Sequence, residues 1–110
     1  MSRTLTADQL VMVADLFRTL GEPSRLQLLN ALRSGECSVT ELIGRTGLSQ
    51  PNVSKHLQLL LQVGFVRRRK SGLATLYKLA DNDITKLCDV MCDRLAADLA
   101  SRRKVLEARR

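Results

Sequence analysis

Two cysteines in the last quarter of the chain, Cys88 and Cys92, could bind a metal ion or be oxidised. Cys88 and Cys92 are four residues apart, so on a helix both thiols lie along one side. With Asp89 and Asp93 nearby, they could bind a soft metal ion, with Cys37 or a second chain completing the ligand set, or they could be oxidised. Core packing is the favoured interpretation, because Cys88 falls on an apolar stripe and free cysteine is commonly buried.

A second group of polar residues suits contact with nucleic acid. Ser49 is a good helix N-cap, Pro51 is tolerated in a first turn, and Val53, Leu57 and Leu60 form the buried side of the predicted helix. A helix N-terminus offers unpaired N–H groups to phosphate, while Gln and Asn can pair with the major-groove edge of adenine. An ordinary solvated helix face is the alternative. The candidate DNA-contacting residues of this helix are Ser49, Gln50, Asn52, Ser54, Lys55 and Gln58.

The densest run of positive charge follows this helix. Strand alternation sends Arg67 and Arg69 to one face of the predicted strand, and Arg68 and Lys70 to the other. We expect Arg68, Arg69 and Lys70, nearest the tip of a hairpin, to contact phosphate or the minor groove, which adds affinity more than sequence choice. A run that only keeps the protein soluble is the alternative.

The composition of the chain favours a double-stranded polyanion as partner. Its 110 residues include 18 Lys and Arg against 11 Asp and Glu, a net charge of +7. The aromatic side chains are Phe17, Phe65 and Tyr77, too few for a single-strand binder that stacks bases. No apolar run approaches the roughly 18 residues of a membrane span. Residues 1–6 lack the apolar segment of a secretory signal, so we expect a cytoplasmic protein with free thiols.

Hydrophobic periodicity and end signals predict five helices and a β-hairpin in a single domain over residues 1–110. Three short helices, a tight turn, a further helix and a hairpin form a helix-turn-helix with a wing. The predicted fold class is therefore mainly α with a small β-hairpin, in the order α-α-α-α-β-β-α. The elements are a helix from Ala7 to Leu20, a helix that begins after Pro23 and ends at Ser34-Gly35, a short helix capped by Ser38 and closed by Gly47, the helix from Ser49 to about Gly64, strands at 65–70 and 74–79 joined by Ser71-Gly72, and a long helix capped by Asp81 or Asp83 that ends near Glu107.

Four segments of the chain together form a specific signature. They are residues 17–26 (FRTLGEPSRL), 38–42 (SVTEL), 48–57 (LSQPNVSKHL), and 60–64 with the wing that follows and ends in Tyr77. In these segments the chain resembles the ArsR/SmtB family of bacterial metal- and stress-responsive repressors. The resemblance implies a winged-helix homodimer whose first and last helices form the interface. It also implies repression of transcription that is released when an inducer binds.

The apolar stripe of the long last helix points to a dimer independently of this resemblance. Such a helix needs a partner surface, and so short a chain offers little else to cover it. Two-fold symmetry then predicts an inverted-repeat operator whose half-site centres are about 34–36 Å apart. The predicted dimer interface comprises Leu10, Val13, Phe17, Ile84, Leu87, Met91, Leu95 and Leu99.

Two departures from the family leave the inducer open. Members that sense arsenic, cadmium or lead often carry Cys-x-Cys at the start of the third helix, where this chain has Ser38 and Thr40. The zinc-sensing type uses histidine and carboxylate ligands on the last helix. This chain's one histidine, His56, lies on the helix after Ser49, where we expect a packed, hydrogen-bonded role. A soft metal ion at Cys88 and Cys92 and a regulator without metal or thiol sensing both remain open.

Two other classes of function are weaker. A cysteine enzyme would need a Cys-x-x-Cys pair, a phosphate-binding glycine loop or a base partner beyond His56, so we predict that the chain is not an enzyme. A protein-interaction module would more often show apolar anchors where Gln50, Asn52, Ser54 and Lys55 stand. The sequence therefore favours a DNA-binding regulator of transcription.

Overall fold

The computed structural model describes residues 3–108, and it confirms the predicted order of helices and strands. One element was not predicted, the two-residue strand β1, which makes the hairpin a three-stranded sheet. The elements are α1 (Ala7–Leu20), α2 (Pro23–Ala31) with a 3-10 turn (Leu32–Ser34), β1 (Cys37–Ser38), α3 (Val39–Thr46), α4 (Gln50–Gln62), β2 (Val66–Ser71), β3 (Ala74–Leu79) and α5 (Asp83–Ala108).

Side chains close to each helix end determine where the helices begin. At α3 the predicted capping box is present: the Glu41 N–H donates to Ser38 Oγ, and the Ser38 N–H donates to Glu41 Oε1, each at 3.1 Å. The hydrogen bonds from the Ser38 backbone and then its hydroxyl lower the pKa of Glu41. Gly47 ends α3 with φ at +74°, a left-handed conformation that favours glycine.

The sheet has the order β1-β3-β2, with both pairings antiparallel. Cys37 lies opposite Tyr77 in the first pair, and Val66 lies opposite Leu79 in the second. The observed strand β2 is shifted one residue from the predicted 65–70, so the turn falls at Gly72 and Leu73. Gly72 has φ at +62°, which explains why the turn needs a glycine there.

The core lies between α2, α3 and α4 and is closed by the hairpin and the start of α5. Buried leucines on the three helices form its centre, and each is worth about 1.5–3 kcal/mol relative to an exposed side chain. This core fixes α4 against α2 and α3. Its buried members are Leu28, Leu29, Leu32, Cys37, Leu42, Val53, Leu57, Leu60, Val66, Tyr77 and Ile84.

Outside this core, α1 and α5 keep a broad apolar face exposed. Leu10, Phe17, Met91, Leu95 and Leu99, all predicted at the dimer interface, are each more than half exposed in the single chain. Predicted members Val13 and Leu87 are partly buried. Ile84 differs from the prediction: it is only 6% exposed, because the first turn of α5 packs on the chain's own core. The other seven residues retain surface for a partner.

Within residues 3–108, no helix combines the length and the hydrophobicity needed to cross a bilayer.

Candidate nucleic-acid interface

The first residues of α4 determine where the helix begins and which N–H groups its N-terminus leaves without a partner. Ser49 is the N-cap, as predicted: its Oγ accepts a hydrogen bond from the Asn52 N–H at 3.3 Å. Pro51 occupies the first turn, where its missing N–H removes no helical hydrogen bond. Of the residues Gln50–Asn52, Gln50 keeps an N–H without a hydrogen-bond partner in the described chain, and the positive end of the helix dipole faces outward.

Side chains of α4 divide cleanly between the core and solvent. Val53, His56, Leu57 and Leu60 are buried against the other helices. The structure leaves all the predicted DNA-contacting residues of this segment exposed, and they are Ser49, Gln50, Asn52, Ser54, Lys55 and Gln58. A helix with this pattern presents amide, hydroxyl and ammonium groups to a partner without uncovering apolar surface.

Hydrogen bonds define the path of the turn between α3 and α4. Thr46 Oγ1 donates to the Leu42 carbonyl at 2.7 Å and accepts from the Leu48 N–H at 3.3 Å, and the Gly47 N–H donates to Ile43 O at 2.9 Å. The turn is therefore short and ordered, as in a helix-turn-helix pair.

The basic run lies on β2, and the structure separates its members. Alternation puts Arg68 and Lys70 on the same face as buried Val66, but both cations remain exposed. Arg69, on the other face, forms an ion pair with Glu36 across β3, with Nε and Oε2 2.8 Å apart. Sequence reasoning missed Glu36, because only the pairing of β1 with β3 brings it close to the wing. Arg69 is thus partly neutralised.

Among residues 3–108, Arg68 and Lys70 make no ion pair. Together with Lys55 on α4, they give the site three exposed positive charges without an acidic partner in the described chain. Such charges are available to an external anion, and the favourable interaction is weakened by salt.

His56 has the packed, hydrogen-bonded environment that the sequence predicted. It is 9% exposed, and its Nδ1 lies 3.5 Å from a terminal nitrogen of Arg25. Glu22 Oε2 lies 3.8 Å from its Nε2. Neither Glu22 nor Arg25 was predicted to belong to the site, since they precede α4 by about thirty residues and nothing local signals the contact.

Cys88 and Cys92 both line an open groove of 330 Å³ between α5 and the junction of α1 with α2, hereafter the thiol groove. Cys88 is half-buried and Cys92 is exposed. The remaining lining residues are apolar: Phe17, Leu20, Gly21, Leu26, Leu87 and Met91. Because no charged side chain lines this groove, it suits an apolar or soft occupant better than a hydrated ion.

Cys37 lies apart from these two cysteines. It is fully buried in the core, its thiol donates to the Gly35 carbonyl at 3.6 Å, and burial raises its pKa. Within residues 3–108, no three His, Cys, Asp or Glu side chains are grouped to hold a metal ion. The structure brings Cys88 and Cys92 to one groove but does not add Cys37.

The chain is a winged helix-turn-helix protein, because it combines the helix pair α3 and α4, the tight turn between them and the basic hairpin of β2 and β3. The family model described as "Bacterial regulatory protein, arsR family" matches residues 22–68. The chain is 40% identical over 89 residues to the probable mercury resistance operon repressor of Streptomyces lividans, covering 80% of this chain and 70% of that protein. The chain belongs to the ArsR family, which consists of regulatory proteins and not of enzymes.

Solved structures agree with this assignment. The crystal structure of Rv0081 from Mycobacterium tuberculosis matches with a TM-score of 0.81 and 34% identity, covering 88% of this chain and 98% of that one. The solution structure of Mb0332 from Mycobacterium bovis, described as a homodimeric winged helix-turn-helix DNA-binding domain, matches with a TM-score of 0.71 and 30% identity. This second match covers 89% of this chain and 91% of the neighbour.

Proposed function

We propose that this chain is a homodimeric repressor of transcription that binds an inverted-repeat operator in the cytoplasm. The observation that carries the proposal is the outward polar face of α4, which follows the Ser49 N-cap and belongs to a helix-turn-helix pair. Relatives named as repressors, and the homodimeric DNA-binding description of Mb0332, support the same function.

In this proposal the first turns of α4 enter the major groove. Gln50 and Asn52 supply amides that can pair with the N6 and N7 atoms of adenine, and Lys55 can donate to guanine or to a phosphate. Ser49 still has its hydroxyl proton to donate, because its oxygen serves only as acceptor in the helix cap. Ser54 and Gln58 extend the contact along the same exposed side.

The wing supplies affinity in this proposal and little sequence choice. Arg68 and Lys70 are the principal candidates for phosphate or minor-groove contact, since each is exposed and makes no ion pair in the described chain. Arg69 must exchange its carboxylate partner Glu36 for a phosphate, so we assign it a smaller contribution.

The exposed apolar face of α1 and α5 is the proposed dimer interface. Apolar area removed from water at about 25 cal/mol per Å² is a strong driving force for pairing two such faces. A two-fold axis through this interface would place the two α4 helices in successive major grooves, with half-site centres about 34–36 Å apart.

A duplex-selection experiment tests the proposal. Duplexes enriched from a random pool should contain an inverted repeat, and their affinity should fall as salt rises. Replacing Gln50 or Asn52 by Ala should weaken binding by about 5- to 150-fold and relax the preference at one position in each half-site. Gln62→Ala, at the exposed far end of the same helix, is the matched control and should have no effect. Recovery of no preferred sequence would exclude the proposal.

The thiol groove favours a second function, release of DNA by a soft metal ion or a thiol-reactive compound. Cys88 and Cys92 would hold the ion as thiolates, the ligands that soft metals prefer. Both thiols line one groove, which fits an ion satisfied by two sulfur ligands, and no third donor group accompanies them among residues 3–108. They do not fit a four-ligand structural zinc site. The mercury resistance repressor among the relatives is consistent with this chemistry.

This second function has its own test. Mercuric ion and hydrogen peroxide are added separately to the operator complex, while free thiols are counted by a colorimetric reagent. We expect DNA release together with loss of two thiols per chain, and no release from the Cys88→Ser/Cys92→Ser variant. If the variant responds like the wild type, the two cysteines have only a packing role.

A further inference from the structure

Arg25, near the start of α2, connects the last turn of α1 with α4. Its Nε donates to the Thr19 carbonyl at 2.5 Å, and one terminal nitrogen donates to the Arg18 carbonyl at 3.5 Å. The other terminal nitrogen lies 3.5 Å from His56 Nδ1 on α4. One planar guanidinium therefore contacts an end of the proposed dimerisation helix and the inner side of the proposed DNA-contacting helix.

The contact with α1 has a clear physical cause. Carbonyl groups in the last turn of a helix lack intrahelical partners and carry the negative end of the helix dipole. Arg25 neutralises this end at the Arg18 and Thr19 carbonyls, and its rigid fork keeps one nitrogen free for His56. A lysine ammonium at this position would have no comparable fork.

The contact with α4 requires a particular form of the imidazole. Guanidinium can only donate, so Nδ1 must act as the acceptor and the Nε2–H must point toward Glu22, whose Oε2 is 3.8 Å away. Glu22 Oε2 also accepts from the Arg25 N–H at 3.0 Å as the N-cap of α2. Glu22 and Arg25 are the charged groups that contact the imidazole, and Lys55 is its neighbour on α4.

We propose that Arg25 is a positioning residue that holds α4 in its DNA-binding orientation through the imidazole of His56. This inference rests on the proposed DNA-binding function. The contact with His56 Nδ1 is the one that the Arg25 guanidinium makes with α4, while its other two contacts are with α1. Loss of the His56 contact should therefore weaken operator binding in a chain that is still folded.

Two substitutions of His56 separate positioning from simple packing. The Asn side chain puts an amide oxygen near the place of Nδ1, so His56→Asn keeps the acceptor for Arg25. Gln extends its amide toward the place of Nε2, so His56→Gln faces Glu22 and leaves Arg25 without an acceptor. The operator affinity of each variant is measured by fluorescence anisotropy at one fixed pH and salt concentration.

We expect His56→Asn to bind the operator with nearly the wild-type affinity. His56→Gln should bind about tenfold more weakly, in line with loss of one charge-assisted hydrogen bond. Equal operator affinity of the two variants would overturn the inference.

Arg25→Lys keeps the charge and provides a test if a His56 variant does not fold, as judged by its thermal melting midpoint. It should bind the operator more weakly than the wild type, because lysine lacks the fork that reaches both α1 and His56. Wild-type affinity in this variant would overturn the inference. Failure of the wild-type chain to bind duplex DNA would reject the proposed function itself. Wild-type affinity in the variants, with binding intact, rejects only the positioning role.

Discussion

Replacing Arg68 by alanine measures how much of the operator affinity comes from phosphate contact by the wing. Arg68 is exposed and makes no ion pair among residues 3–108. A homodimer presents two copies of it, one for each half-site. Each neutralised phosphate contributes about 0.9 to the slope of log K against log salt on duplex DNA, so the loss of two contacts should reduce the slope by about 1.8.

Two further substitutions make this measurement specific to Arg68. Arg69→Ala removes the same charge from the adjacent position, but Arg69 is already paired with Glu36 at 2.8 Å. The slope should then change by less than half as much. Arg102→Ala removes the same charge from the distal part of α5, where Arg102 pairs with Asp98 at 3.1 Å, and should leave the slope unchanged.

Fluorescence anisotropy with one labelled operator, at salt concentrations from about 50 to about 200 mM, gives all the slopes under the same conditions. Thermal melting of each variant without DNA checks that the fold is intact. If Arg68→Ala and Arg102→Ala shift the slope equally, the effect reflects net charge alone. The assignment of phosphate contact to the wing would then be refuted.

Three other predictions concern residues outside the wing. Ser49→Ala should lower the free energy of unfolding by about 0.5–2 kcal/mol, because the Asn52 N–H loses its cap; thermal or urea unfolding measures this, and no change would contradict it. Iodoacetamide should alkylate exposed Cys92 quickly and Cys37 only after unfolding, since burial raises the pKa of the Cys37 thiol. Peptide mass spectrometry measures both alkylation rates, and equal rates for Cys92 and Cys37 would be inconsistent with the buried position of Cys37. The pKa of Glu41 is lower in the folded chain than in the unfolded one, so ionised Glu41 stabilises the fold above the ordinary carboxyl range, and this stabilisation is lost as the pH falls through the folded-state pKa. Glu41→Gln should therefore make the free energy of unfolding less dependent on pH in the acid range. An unchanged pH dependence would contradict this.

Features determined by neighbouring residues could be predicted from the sequence. The Ser38 capping box, the left-handed Gly47 and the N-cap at Ser49 each depend on side chains within a few positions. The exposed face of α4 followed from the helical repeat, because the apolar positions define the inner side and leave the polar ones outside.

Features determined by distant pairing could not be predicted in the same way. Strand β1 has only two residues, and its pairing of Cys37 with Tyr77 spans forty positions. This pairing also explains why Glu36 meets Arg69 and reduces the free charge of the wing. Ile84 matched the apolar period of α5, but periodicity does not distinguish the chain's own core from the surface of a partner.

The thiol groove and the Arg25 contacts meet at one turn of α1. Phe17, Leu20 and Gly21 line the groove beside Cys88 and Cys92. The carbonyls that hold Arg25 belong to residues 18 and 19 of the same turn. A ligand in the groove would therefore contact the same turn of α1 that Arg25 joins to His56 on α4. Coupling between two sites requires a shared element that both can bias, and this turn is positioned to serve as one.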